Sequence, residues 1–138
     1  MRHIIPLNQS MFGNSWRDRT TAWIIATPRL WLLVLGALVC VVGKLALTPS
    51  NHPNLSLGWD KLNHFSAFAA LGVAAWLGFR TASRYQRLSL LCLLAYGGAI
   101  EVIQLYVPGR SSEWLDLLAD AVGIVVGALL AALLLKRQ

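Results

Sequence analysis

WLDLLADAVGIVVGALLAALLL, the run from Trp114 to Leu135, decides the fold. A helix that crosses a membrane needs about 20 mostly apolar residues, because the hydrocarbon core is about 30 Å thick and each residue rises about 1.5 Å. The run has that length, and it lacks the apolar-polar alternation of a barrel strand. Its two aspartates, Asp116 and Asp120, lie in the first half. A helical rotation of about 100° per residue puts both on one stripe with Gly123 and Gly127, flanked by Ala119 and Ala131. Gly123-x-x-x-Gly127 is a spacing that lets helix backbones approach closely in lipid, and it suits a homodimer or an internal bundle equally.

Three more stretches of similar character precede it, over Leu30 to Leu47, Lys61 to Phe79 and Leu88 to Val107. The links are short: Thr48 to Asp60 holds two prolines, Arg80 to Arg87 is basic, and Pro108 to Glu113 contains Pro-Gly. The expected fold is therefore all-α, an integral membrane four-helix bundle over residues 30–135, with a basic cytoplasmic segment at residues 1–29. That segment shows no early apolar core and no small-residue cleavage pattern, so the first span reads as an uncleaved signal anchor. Trp23-Ile24-Ile25 fits either a membrane-surface stretch or a short tail. Composition agrees: 57% of residues are hydrophobic and 13% charged, against about 25% charged in a soluble domain. An ordinary soluble enzyme and a disordered tail are excluded. Cys40 and Cys92 lie inside apolar runs, read as small core residues, and sit too far apart in depth to pair.

Lysine and arginine near the span ends give the orientation, since cytoplasmic loops hold the excess. Arg2, Arg17, Arg19, Arg29, Arg80, Arg84, Arg87, Lys136 and Arg137 fall on one side with Asp18. Lys44, Lys61 and Arg110 fall on the other with Asp60, Glu101, Glu113, Asp116 and Asp120. The division, +8 against −2, accounts for the net charge of +6. Both termini are expected in the cytoplasm of a bacterial inner-membrane, multi-pass protein, and no nucleic-acid partner is expected. Trp59 and Trp114 at outer span ends and Trp31 at the inner one fit an aromatic belt.

The acids on the outer side are informative, because an ionisable group within a span is costly and points to function. Glu101 and Asp120 each lie about 9 Å inside their span, and His64 about 5 to 6 Å, by helical rise. Gly97, Glu101 and Gln104 share one stripe of the third span. Asp60, His64, Ala67, Leu71, Ala74 and Gly78 share one stripe of the second, from which Asn63 points away. His64, Glu101, Arg110, Asp116 and Asp120 are expected to converge on one cavity at the outer face. There Arg110, Lys61 or a protonated His64 would offset the acids, and Glu113 would sit solvated at the rim.

Asp60-Lys61-Leu62-Asn63-His64-Phe65, Glu101-Val102-Ile103-Gln104, Pro108-Gly109-Arg110, and Asp116 with Asp120-Ala121-Val122-Gly123 resemble the signature segments of the VanZ-like membrane proteins. Asp120 stands where many relatives carry Asn, which leaves its role as carboxylate or amide equivalent open. The resemblance implies a small bacterial membrane protein whose namesake raises tolerance to teicoplanin, a glycopeptide antibiotic. It implies no settled activity, and the residues it carries over are Asp60, Lys61, His64, Glu101, Gln104, Arg110, Asp116 and Asp120. Of these, the chemistry of the side chains makes His64, Glu101, Asp116 and Asp120 the candidate catalytic groups and Asp60, Lys61, Gln104 and Arg110 the candidate binding groups.

Two functions compete. In one, an outer-leaflet site binds or modifies an envelope lipid or lipid-linked precursor: Lys61 and Arg110 hold a phosphate, and His64 works with Glu101 or Asp120 as base and acid. A variant adds a divalent ion accepting nitrogen and oxygen ligands, although the spacing resembles no compact metal motif, so neither a metal nor a cofactor is expected. In the other, the polar layer is structural or docks a membrane protein partner. An ion or proton pathway is disfavoured, because the inner halves of the spans lack ionisable residues.

Overall fold

The computed structural model describes residues 27–49, 57–110 and 112–136, of residues 57–59 the backbone only. The N-terminal segment, including Trp23-Ile24-Ile25, and the Trp59 side chain lie outside the described residues. Four helices follow one another: α1 Pro28–Ala46, α2 Leu57–Gly78, α3 Ser83–Gln104 and α4 Trp114–Lys136. Among the described residues there is no strand, so the all-α expectation holds. Pro28 opens α1, where its missing N–H costs no helical bond, and Lys44 sits in the last turn beside the negative end of the helix dipole.

The helices and the apolar runs do not share their boundaries. α3 starts at Ser83, five residues before the apolar run, because Ser83-Arg84-Tyr85-Gln86-Arg87 forms a polar first turn. Hydropathy marks where an apolar environment begins; hydrogen bonding decides where the helix begins. The Gln86 side chain donates to Trp76 O at 2.9 Å and closes the corner between α2 and α3.

By length and composition α1, α3 and α4 are apolar enough to cross a membrane. α2 has 22 residues but carries Asp60, Lys61, Asn63 and His64 in its first turns. It can do so because it is the inner helix: Phe68, Leu71, Ala74, Ala75 and Leu77 are buried, whereas α1 buries no residue. The outward surface carries large apolar side chains such as Leu33, Leu91, Val125, Leu129 and Leu133. Such a surface is unfavourable in water and matches lipid.

α2 packs most closely on α4. A Cβ on Gly123 would strike Phe65 O and Ala69 N of α2, and one on Gly127 would strike Ala69 O and Val73 N. The small-residue stripe of α4 is thus spent inside the chain, where Gly123, Gly127 and Ala131 are all buried. α1 packs on α2 and touches α3 lightly. Cys40 and Cys92 are free and exposed, which corrects their reading as core residues.

Candidate functional site

His64 lies between two acids. Its Nδ1 is 3.0 Å from Asp120 Oδ1, and its Nε2 is 3.8 Å from Glu101 Oε1. Each of the three stripes supplies one of these residues, and the geometry brings them together as their shared depth requires. Asp120 fits because position 97 is glycine: a Cβ there would come within 2.5 Å of Asp120 Oδ2. Glu101 is fixed from the other side, where Oε2 accepts from the Ser112 hydroxyl at 2.9 Å and from the Glu113 backbone N–H at 3.2 Å. An Asp120 carboxylate accepting the Nδ1 proton would leave Nε2 with its lone pair, the tautomer a general base needs.

Lys61 serves the second half of the layer. Its Nζ is 2.7 Å from Glu113 Oε2 and 3.5 Å from Asp116 Oδ1. Glu113 is therefore not a solvated rim residue but the principal partner of Lys61. Position 113 lies one turn before Asp116 on the same face, a spacing already visible in the sequence. Lys61 is turned to carboxylates, and does not line the cavity described below.

Arg110, one of the three groups expected to offset the acids, makes its bonds elsewhere. Among the described residues no carboxylate lies within ion-pair distance of it. Its Nη2 donates to Leu45 O at 2.7 Å and its Nε to Thr48 O at 3.2 Å. These are carbonyls at the C-terminus of α1, an end that attracts cations and lacks intrahelical donors. Gln104 adds to this junction by donating to Ala46 O at 3.0 Å. Arg110 and Gln104 thus tie the end of α3 and its following loop to α1, and Lys61 does the charge offsetting.

The junction roofs a cavity of about 430 Å³. Val42, Leu45, Ala46, Ala67 and Phe68 form its apolar wall, and Asp60, Asn63, His64, Gln104 and Arg110 its polar wall. Of the five residues expected to converge there, His64 and Arg110 line it, while Glu101, Asp116 and Asp120 are buried behind His64. Asn63 faces it too, contrary to the stripe reading; 60, 63, 64 and 67 are spaced as one helical face. Ser112 was missed altogether, since nothing in a loop serine signals a carboxylate partner eleven residues away. A second cavity of about 380 Å³, almost wholly apolar, lies further along α1 and α3 between Leu35, Val39, Leu93 and Tyr96.

The VanZ/LLP1 family model matches residues 6–135. Neither the comparison with curated proteins nor that with solved structures gave a significant match.

Proposed function

From the premise that the chain belongs to the VanZ/LLP1 family, we propose that it is a multi-pass protein of the bacterial inner membrane that takes an envelope lipid or lipid-linked precursor into the cavity between α1, α2 and α3. The lining of that cavity carries the reading: apolar side chains on one wall, and on the other Arg110 and His64 with the amides of Asn63 and Gln104 and the carboxylate of Asp60. An amphiphile with an anionic headgroup fits such a lining. Arg110 supplies a guanidinium for a phosphate, and its orientation is already set by the α1 carbonyls. His64, held by Asp120, is the group available to move a proton at the headgroup. A contribution to glycopeptide tolerance belongs to the same proposal, through the envelope component that the site binds or modifies.

The charge division of the sequence supports an orientation with both termini in the cytoplasm and this cavity in the outer leaflet. A reporter fused after Gln138 is expected to be active inside the cell; activity outside would reverse the assignment. The functional test is lipid profiling of cells with and without the protein, joined to mass spectrometry of lipid that co-purifies with it. The expected result is an altered or bound anionic envelope lipid that His64→Gln fails to alter. Unchanged profiles and a protein free of bound lipid would overturn the reading in favour of a partner-docking role for the polar layer.

A further inference from the structure

The contact between His64 and Glu101 has an odd geometry. At 3.8 Å, Nε2 and Oε1 are too far apart for a hydrogen bond, and too close to face each other as two lone pairs without cost. Neither side is free to close the gap. Glu101 is anchored through Oε2 by Ser112 and the Glu113 N–H, and the imidazole is anchored through Nδ1 by Asp120. Oε1 of Glu101 and Oδ2 of Asp120 receive no hydrogen bond, although both residues are more than nine-tenths buried. Unsatisfied buried carboxylate oxygens are expensive, and a single one calls for an explanation.

Charge points the same way. Glu101, Glu113, Asp116 and Asp120 surround one lysine and one imidazole. Even a protonated His64 would leave more negative than positive charge in the cluster. Arg110, the nearest remaining cation of the loop, is engaged with backbone carbonyls instead.

We propose that His64 and Glu101, with Asp120 behind them, form a binding site for one divalent transition-metal ion of the zinc or manganese type. Zinc sits about 2.0 to 2.2 Å from imidazole nitrogen and carboxylate oxygen, so two such ligands on one ion are separated by at most about 4.3 Å. The 3.8 Å gap lies within that limit. Ligand atoms of His64, Glu101 and Asp120 lie within 4.8 Å of one another, but Asp120 holds Nδ1 on the far edge of the imidazole from Glu101, so it is an outer residue of the site and not a ligand of the ion. One imidazole with carboxylates is a donor set for zinc or manganese rather than for a thiolate-seeking ion. The Asp120 contact to Nδ1 is the usual outer partner of a metal-bound histidine, fixing its tautomer and raising its basicity. Because His64 also lines the cavity, the ion would stand at the boundary between the buried acids and a bound headgroup.

The test uses the full chain, purified in detergent with chelator, dialysed, and titrated with zinc chloride and separately with manganese chloride. Calorimetry and elemental analysis are expected to give one ion per chain, unaffected by Lys44→Gln. Asp120→Asn is expected to weaken binding by about 10- to 100-fold, the usual cost of losing an outer partner, and Glu101→Gln by at least as much. X-ray absorption of the zinc-loaded wild type does not depend on any variant folding, and it should show a nitrogen and oxygen shell that includes one imidazole. No ion bound by the wild type, binding indifferent to Glu101→Gln, or a shell without imidazole would each overturn the site. The proposal goes beyond the lipid reading and does not require it: a protein that binds lipid but no metal would sink only the ion site, and one that binds metal but no lipid only the lipid reading.

Discussion

α2 and α4 meet backbone to backbone, whereas α1 and α3 stand apart and leave two cavities between them. The first pair is held by small residues, with Gly123 and Gly127 facing the carbonyls of Phe65 and Ala69. The second is joined by a few polar bonds to backbone carbonyls, from Gln104 and Arg110 at one end and Tyr96 in the middle. The division has a functional logic. A group that reacts with or ligates a bound molecule must be held to within a fraction of an ångström, and His64 and Asp120, proposed for such a role, sit on the tight pair. A ligand needs room, and the room is on the loose side.

The largest effect should come from wedging the tight pair apart. Gly127→Leu forces a branched side chain against Ala69 O and Val73 N, and is expected to cost about 3 kcal/mol or more, the upper range of overpacking. Gly36 has nothing within 4 Å of its would-be Cβ, so Gly36→Ala should be neutral or stabilising by up to about 1 kcal/mol. Unfolding in mixed detergent measures both. Equal costs at the two positions would erase the contrast between the halves.

Next comes the roof of the loose side. Arg110→Ala removes charge-assisted bonds to Leu45 O and Thr48 O together with the cation of the cavity. A charge-assisted bond from Arg110 to a lipid phosphate is worth about 1.5 to 3 kcal/mol, so without it binding of an anionic lipid should weaken by about tenfold or more. Arg84→Ala, at an exposed position in the first turn of α3, should leave that binding as it was. Titration with an anionic lipid in nanodiscs separates the two, and equal losses would show that Arg110 contributes only bulk charge.

The tight half was legible in the sequence and the loose half was not. Stripe positions follow from helical rotation, so the inward placement of Asp116, Asp120 and Gly123 on α4 could be read directly, and burial agrees; His64 on α2 sits half-buried beside them. The small-residue stripe left homodimer and bundle open because spacing names a face and not its partner. Arg110 shows a related limit: it was one of three groups expected to offset the acids, Lys61 takes that part, and the acceptors of Arg110 are helix-end carbonyls, which every sequence contains and none advertises. Ser112 and the Glu113 backbone N–H act on Glu101 through a turn whose geometry depends on Gly109 at φ 76°, a left-handed conformation that favours glycine.

A smaller effect is expected in the middle of the loose pair. The Tyr96 hydroxyl donates to Val39 O at 2.7 Å, and its ring packs on Phe68 with centroids 6.1 Å apart. That bond is the main polar tie between α1 and α3 away from their ends. Tyr96→Phe keeps the ring and deletes the bond, so its expected cost is about 0.5 to 1.5 kcal/mol, seen as a lower melting temperature in detergent. An unchanged melting temperature would mean that α1 is held by α2 and by the Gln104 and Arg110 bonds at its end, with nothing added by Tyr96.

The smallest effect should be at the two cysteines. Both are exposed, and Cys92 borders the apolar cavity between α1 and α3, so neither side chain fills the core. Cys40→Ala and Cys92→Ala are each expected to change stability by under about 0.5 kcal/mol, as surface substitutions usually do. Spin labels at the two positions should be relaxed by oxygen, which partitions into lipid, and little by a water-soluble nickel chelate. A large cost at Cys40, or a label there shielded from both reagents, would show that the outer face of α1 is covered in the membrane. The loose half would then be an interface with another chain, and the room between α1 and α3 would belong to an assembly and not to a lipid.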